Sequence, residues 1–284
     1  MATLKDIAQR AGVTATTVSR VINNRGYISE GTRKKVYAAM EEMHYQPNEL
    51  ARAFSKQYTN TIGLIVPHIS HPFFIKVISN LESSAAEKGF KLLLCNSKEQ
   101  PEKEQDYLDM CISNRVAGIV LCSKYVQTRE FRKMNIPVVN LERGGDDDTI
   151  SVQCDNYQGG KLAAEHLIEC GCKNLLHFGG VAGKDMPADR RADGFLRVCR
   201  ERGIEGEVLL SDRLSYGSMH YESYIEKGLL EHPETDGIFA SSDLIAAQVL
   251  QRLYAMGKRV PEDIKVVGFD DTVIAGITTP SITT

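Results

Sequence analysis

Near the start of the chain, apolar residues recur at helical spacing. Leu4, Ile7, Ala8 and Ala11 fall at i, i+3, i+4 and i+7 and so share one face. Val18, Val21 and Ile22 repeat the pattern, and Val36, Ala39, Met40 and Met43 repeat it again. Polar residues stand where helix ends need them. Thr3 with Asp6 forms a T-x-x-D capping box, Thr14 and Ser29 are placed to cap the second and third helices, and Gly12 supplies the first turn. Val13 and Val18 flank the second cap as a hydrophobic staple. Two short amphipathic helices joined through residues 11–14, with a third behind them, predict a helix-turn-helix domain.

From Ile62 the pattern changes to apolar runs separated by amphipathic stretches. Strands are predicted at 62–66, 91–95, 118–122, 138–141, 174–178, 207–210, 237–240 and 265–269, with helices such as 74–88, 158–170, 191–202 and 244–256 between them. Nearly continuous apolar strands alternating with helices imply parallel sheets covered on both faces. Residues 61–284 are enough for two such sheets. Ligands of parallel sheets bind beyond the carboxyl ends of the strands. The residues after the strands include Phe73 and Phe74, Glu142 and Arg143, Asp155 and Asn156, Arg190 and Arg191, Ser241 to Asp243, and Asp270 with Asp271. Aromatic faces with carboxylates and arginine suit a hydroxyl-rich ligand. The plainer alternatives are a helix cap for Asp243 or Asp270 and a surface ion pair for Arg191.

The outward face of the second helix carries Ala15, Thr16, Ser19, Arg20 and Asn23. Arg20 has the geometry to read guanine through O6 and N7, and Ala15 and Thr16 sit where groove-inserted helices touch base edges. Thr14, Thr17 and Ser19 read as phosphate binders beside the positive helix N-terminus. Charge separates this head from the body. Residues 1–60 hold nine basic and five acidic residues, a net +4, whereas the chain holds 34 and 37, so the remainder carries −7. That asymmetry favours a nucleic-acid-binding head over a plain three-helix bundle with solvated charges.

These features together carry a resemblance. Residues 3–23 (T-L-K-D-I-A-Q-R-A-G-V-T-x-x-T-V-S-R-V-I-N), followed by 32–36 and 45–48, resemble the head of the lactose-repressor (LacI) family of bacterial transcription regulators. Stretches 27–30, 69–74 and 95–107 are similar to the sucrose-operon repressor branch of that family. The resemblance implies an N-terminal three-helix helix-turn-helix domain (1–47), a hinge helix or linker (48–60) and an effector-binding α/β domain (61–284). The body would be two Rossmann-like parallel-sheet lobes of periplasmic-binding-protein type, about 61–155 and 156–284. It adds Thr32, Asn48, Ala51, Arg52 and Phe54 to the DNA-contacting set, with Phe54 at the hinge position where a leucine usually wedges into the minor groove. A plain tether whose Phe54 packs on the body is the alternative. It also implies Arg191 (in R-x-x-G-F) and Asp270 (in F-D-D) as effector ligands, with Phe73, Phe74, Glu142 and Ser242 beside them; Ser242 departs from the asparagine of many relatives. The family continues some tens of residues past the position of Asp271, so part of its hinge and dimer interface is expected to be missing from a chain ending at Thr284.

The expected partners are therefore double-stranded operator DNA, a small carbohydrate effector (sucrose, a fructoside or a sugar phosphate) and a second copy of the chain. No signal peptide, no apolar run of ~18 residues, and seven cysteines read as free thiols point to the bacterial cytoplasm and no membrane. A transport-type sugar-binding protein would need a leader and no head. A carbohydrate enzyme would need a phosphate loop or catalytic pair, and neither a Walker loop, G-x-S-x-G nor H-E-x-x-H occurs. Neither cofactor nor metal is expected.

Overall fold

The computed structural model describes residues 2–46, 58–123, 125, 136–143, 149–181 and 186–284. The chain divides into two compact units, Met1–Asn60 and Thr61–Thr284.

The first unit contains α1 (Leu4–Ala11), α2 (Ala15–Ile22) and α3 (Glu30–Glu42). Each start is held by the residue the sequence places there. The Thr3 amide donates to Asp6 at 2.8 Å and the Asp6 amide donates back to the Thr3 hydroxyl at 3.4 Å, closing the capping box. Thr14 and Ser29 accept from the amides of Thr17 and Thr32. Gly12 takes φ 66° at the end of α1, a conformation that penalises any Cβ. Ile7, Ala8, Val18, Val21, Val36 and Ala39 form the buried core. Ile22, expected inside, is only half-buried, because six small side chains already fill the space between three short helices.

The second unit contains two parallel sheets. The first orders its strands β2-β1-β3-β4-β5: β1 (Thr61–Val66), β2 (Lys91–Asn96), β3 (Gly118–Leu121), β4 (Val138–Leu141) and β5 (Ile150–Val152). The second orders its strands β7-β6-β8-β9: β6 (Asn174–Val181), β7 (Glu205–Ser211), β8 (Gly237–Ala240) and β9 (Lys265–Val267). Helices α4 (Pro72–Glu87) and α5 (Pro101–Ser113) belong to the first lobe. The second holds α6 (Asn156–Glu169), α7 (Arg190–Arg202), α8 (Arg213–Ser218), α9 (Glu222–Glu231), α10 (Asp243–Ala255) and α11 (Val273–Ile277). In each sheet the order reverses beside the first strand in sequence, which opens a crevice at the carboxyl ends of the strands. Apolar clusters cover both faces of each sheet.

Several boundaries differ from the sequence reading. Strand β5 has three exposed residues, so no apolar run announces it. Strands β6 and β7 run longer, with a register shift between Phe178 and Val181. Strand β9 stops at Val267 because the chain turns sharply afterwards, with Asp270 and Asp271 at positive φ. Helices α6 and α7 cross through two glycines. A Cβ at Gly160 would lie 1.9 Å from the Arg191 carbonyl oxygen, and one at Gly194 would lie 2.0 Å from that of Tyr157. Only glycine permits so close an approach.

Candidate functional site

In the head, Thr14, Thr16 and Arg20 are exposed on and before α2. Thr14 and Thr17 share a hydroxyl–hydroxyl bond of 2.9 Å at the helix start. Asn23 donates to the Ser19 carbonyl at 2.8 Å, so its amide is turned back onto its own helix. Thr32 sits in the first turn of α3, bonded to the Ser29 hydroxyl. Ala15, expected on the outer face, is half-buried against the head core. Asn48, Ala51, Arg52 and Phe54 lie outside the described residues.

In the body, the loops after the strands converge on one cavity of about 120 Å³ between the two sheets. Phe73, Phe74 and Glu142 of the first lobe meet Arg191, Ser242 and Asp270 of the second around it. Glu142, Ser242 and Asp270 lie just past the ends of β4, β8 and β9, and Phe73, Phe74 and Arg191 lie in the first turns of α4 and α7. Pro72 opens α4, which lifts Phe73 and Phe74 in its first turn, their rings 5.1 Å apart and edge-to-face. Glu142 ends β4 with φ 51°, and Asp270 follows β9 with φ 102°. Both are left-handed conformations that ordinary side chains avoid, strain of a kind found at binding sites.

Arg191 is a buried charge of the cavity wall. Its Nε donates to the Asn156 Oδ1 at 2.8 Å and its Nη1 to the Ser241 carbonyl. The guanidinium carbon lies 3.5 Å from the centroid of the Phe269 ring, and Nη2 lies 4.0 Å from Asp270. Burial pushes the Arg191 pKa down, with Asp270 and Glu142 opposing, yet guanidinium stays charged in proteins. Burial pushes the Asp270 carboxyl up to about 7, with Arg191 opposing and Asp243 and Glu142 reinforcing. At 4.0 Å the ion pair is at its outer limit, so the arginine does not offset the desolvation. Burial, with His68 and Arg191 nearby, pushes His71 down to about 4, and its Nδ1 accepts from the Phe73 amide.

The cavity also holds His68, His71, Met186, Tyr216 and Tyr221, which the sequence reading did not single out, and Ser241, which it placed after a strand. Tyr216 lies within the short helix α8 and Tyr221 just after it, and neither carried a periodic signal. Ser242 proves to be the N-cap of α10, accepting from the Ile245 amide at 3.2 Å. Asp243, for which a cap role was the alternative, is instead fully buried and accepts from the Thr272 amide and hydroxyl. Nor is Arg191 a surface ion pair, since it is 7% exposed. No group of three His, Cys, Asp or Glu side chains able to hold a metal occurs among the described residues. No helix among them is long and apolar enough to cross a membrane.

A helix-turn-helix head and a two-lobed parallel-sheet body with a polar cavity at the strand ends define a class, the DNA-binding regulators with a periplasmic-binding-protein-like sensor. Residues 3–48 match the family of bacterial regulatory proteins named for lacI, and residues 59–282 match the periplasmic binding proteins and sugar-binding domain of the LacI family. The chain belongs to the LacI family. It is 37% identical to the ribose operon repressor of Halalkalibacterium halodurans, over 100% of this chain and 85% of that one. It is 38% identical to the sucrose operon repressor of Pediococcus pentosaceus, over 95% of this chain and 82% of that one. A crystal structure of a periplasmic binding protein/LacI transcriptional regulator from Alkaliphilus metalliredigens, complexed with D-xylulofuranose, superposes with TM-score 0.69 at 34% identity, covering 79% of this chain and 83% of that one. These relatives are transcriptional regulators, not enzymes.

Proposed function

We propose that the protein is a repressor of a carbohydrate operon in the bacterial cytoplasm, acting as a homodimer on a palindromic operator. A small neutral monosaccharide in the cleft between the lobes controls it. The residues proposed for DNA are Thr14, Thr16, Thr17, Ser19, Arg20 and Thr32 with Asn48, Ala51, Arg52 and Phe54; those for the sugar are Phe73, Phe74, Glu142, Arg191 and Asp270. The observation that carries the sugar reading is the Arg191–Asp270 pair beside Phe73 and Phe74 around one cavity.

Size and charge shift the reading from sucrose, a fructoside or a sugar phosphate to a single neutral sugar ring. A cavity of about 120 Å³ is well below the ~300–1,000 Å³ that drug-sized ligands occupy, which favours one sugar ring over a disaccharide. One arginine set against Glu142 and Asp270 leaves no surplus positive charge for a phosphate. The relative from Alkaliphilus metalliredigens holds a single ketose ring. A thermal-shift series with D-ribose, D-fructose, sucrose and fructose 6-phosphate tests this. A neutral monosaccharide should raise the melting temperature, since a ligand at 100 times its Kd stabilises the native state by about 2.7 kcal/mol. A rise with sucrose or the phosphate alone overturns the monosaccharide reading.

A further inference from the structure

Among the described residues, the Asn156 side chain bonds to both lobes at the polar centre of the cleft, and Lys76 of the first lobe also donates to the Asp271 carbonyl of the second at 2.9 Å. Asn156 is the first residue of α6, reached directly from the chain that leaves β5, and it is 3% exposed. Its Nδ2 donates to the Glu142 Oε2 at 3.2 Å and to the Cys154 carbonyl at 3.2 Å. Its Oδ1 accepts from the Arg191 Nε at 2.8 Å. The other oxygen of Glu142 accepts from the Cys154 amide. Glu142 belongs to the first lobe and Arg191 to the second.

The direction of this chain is set by chemistry. A guanidinium only donates and a carboxylate only accepts, so the amide between them has a single workable orientation. Any rotation of one lobe against the other that moves Glu142 by an ångström breaks its bond to Asn156. The amide then loses the anchor that aims its oxygen at Arg191.

We propose that Asn156 is the coupling residue of this regulator. It ties the position of Arg191 to the arrangement of the two lobes, so a ligand held by Arg191 favours the arrangement in which Glu142 and Asn156 are bonded. Asn156 acts through Arg191 and Glu142; it is a positioning residue. The inference rests on the reading that a sugar in this cleft alters operator affinity, because an effector regulates only by distinguishing two states.

Three variants of the full chain test it: Asn156→Asp, Glu142→Gln, and the two together. Asn156→Asp keeps the acceptor for Arg191 but sets carboxylate against carboxylate. Glu142→Gln sets amide hydrogens against amide hydrogens when its oxygen stays on Cys154. The double variant restores the bond with its direction reversed and leaves the net charge of the pair unchanged. The readout is the ratio of operator Kd with and without a saturating sugar, D-ribose or D-fructose, with thermal melts as the check of folding. Each single variant should bring the ratio at least fivefold closer to one, and the double variant should recover it to within twofold of wild type. If one single variant fails to fold, the other and the double still decide. A merely structural role lowers the melting temperature and leaves the ratio at its wild-type value, which overturns the proposal, as does a double variant that stays uncoupled. If neither sugar changes the operator affinity of the wild type, the sugar-responsive reading falls and this relay falls with it.

Discussion

Gly160→Ala should damage both the fold and the sugar site, and the structure says by how much. The new Cβ would meet the Arg191 carbonyl oxygen at 1.9 Å, where ordinary contact begins at 3.4 Å, so 1.5 Å must be found. The obstacle is backbone on both sides, so the first turn of α7 has to move as a body. A shift of that size takes the 2.8 Å bond from Arg191 to Asn156 out of hydrogen-bond range. Overpacking costs about 1–3 kcal/mol, a lost bond to a charged group about 1.5–3, and the better helix propensity of alanine returns about 1. The expected net loss is roughly 1.5–5 kcal/mol. Urea unfolding followed by circular dichroism measures it, and calorimetry with D-ribose or D-fructose should show binding at least tenfold weaker, about 1.4 kcal/mol. Gly276→Ala is the control, since a Cβ there meets nothing within 4 Å: it should leave sugar binding near wild type and raise stability by at most about 1 kcal/mol. A Gly160→Ala protein that unfolds at the wild-type midpoint and binds sugar normally would refute the reasoning.

Arg20→Ala should cost about 1–3 kcal/mol of operator affinity and relax specificity at one position per half-site, and equal loss on all DNA sequences in a binding titration would argue against base reading. Phe54→Ala should reduce operator bending in a gel-shift permutation assay while leaving sugar affinity unchanged; wild-type bending would remove its wedge role. Asp270→Asn should change the pH dependence of stability. The native carboxyl titrates near 7 against an unfolded value of about 3.8, so the wild type loses stability as pH rises between those values. The variant's advantage over wild type should therefore grow from pH 4 to pH 7 by at most about 4 kcal/mol and level above it, and a flat difference in urea melts contradicts the buried carboxyl.

The parts of the molecule that were legible in the sequence are those set by neighbours in the chain. Thr3, Asp6, Thr14 and Ser29 cap helices through bonds spanning three residues, so their spacing declares them. Glu142 was legible because a polar residue directly after an apolar strand has one place to go, whereas Arg191 and Asp270 were reached through the R-x-x-G-F and F-D-D motifs of the family. Asn156 stood in view as a polar residue after a strand, but its role depends on Arg191, 35 positions away. Tyr216 reaches the cavity through a short helix with no apolar periodicity. The exchange between Ser242 and Asp243 has a similar cause. Capping is local and either residue could do it, whereas the long-range bond from Thr272 to Asp243 decides which one does.

The backbone at Glu142 and Asp270 carries a consequence for anyone improving this protein. At φ 51° and φ 102° each residue pays in conformation, on the order of 1–3 kcal/mol, for pointing its carboxylate into the cavity. Glycine has no such penalty. A library screened only for heat resistance should therefore enrich glycine at these two positions, and its winners would be sturdier proteins blind to their sugar. Selection with the sugar present should hold both acids in place, so the pair of screens would separate what the scaffold prefers from what the regulator requires.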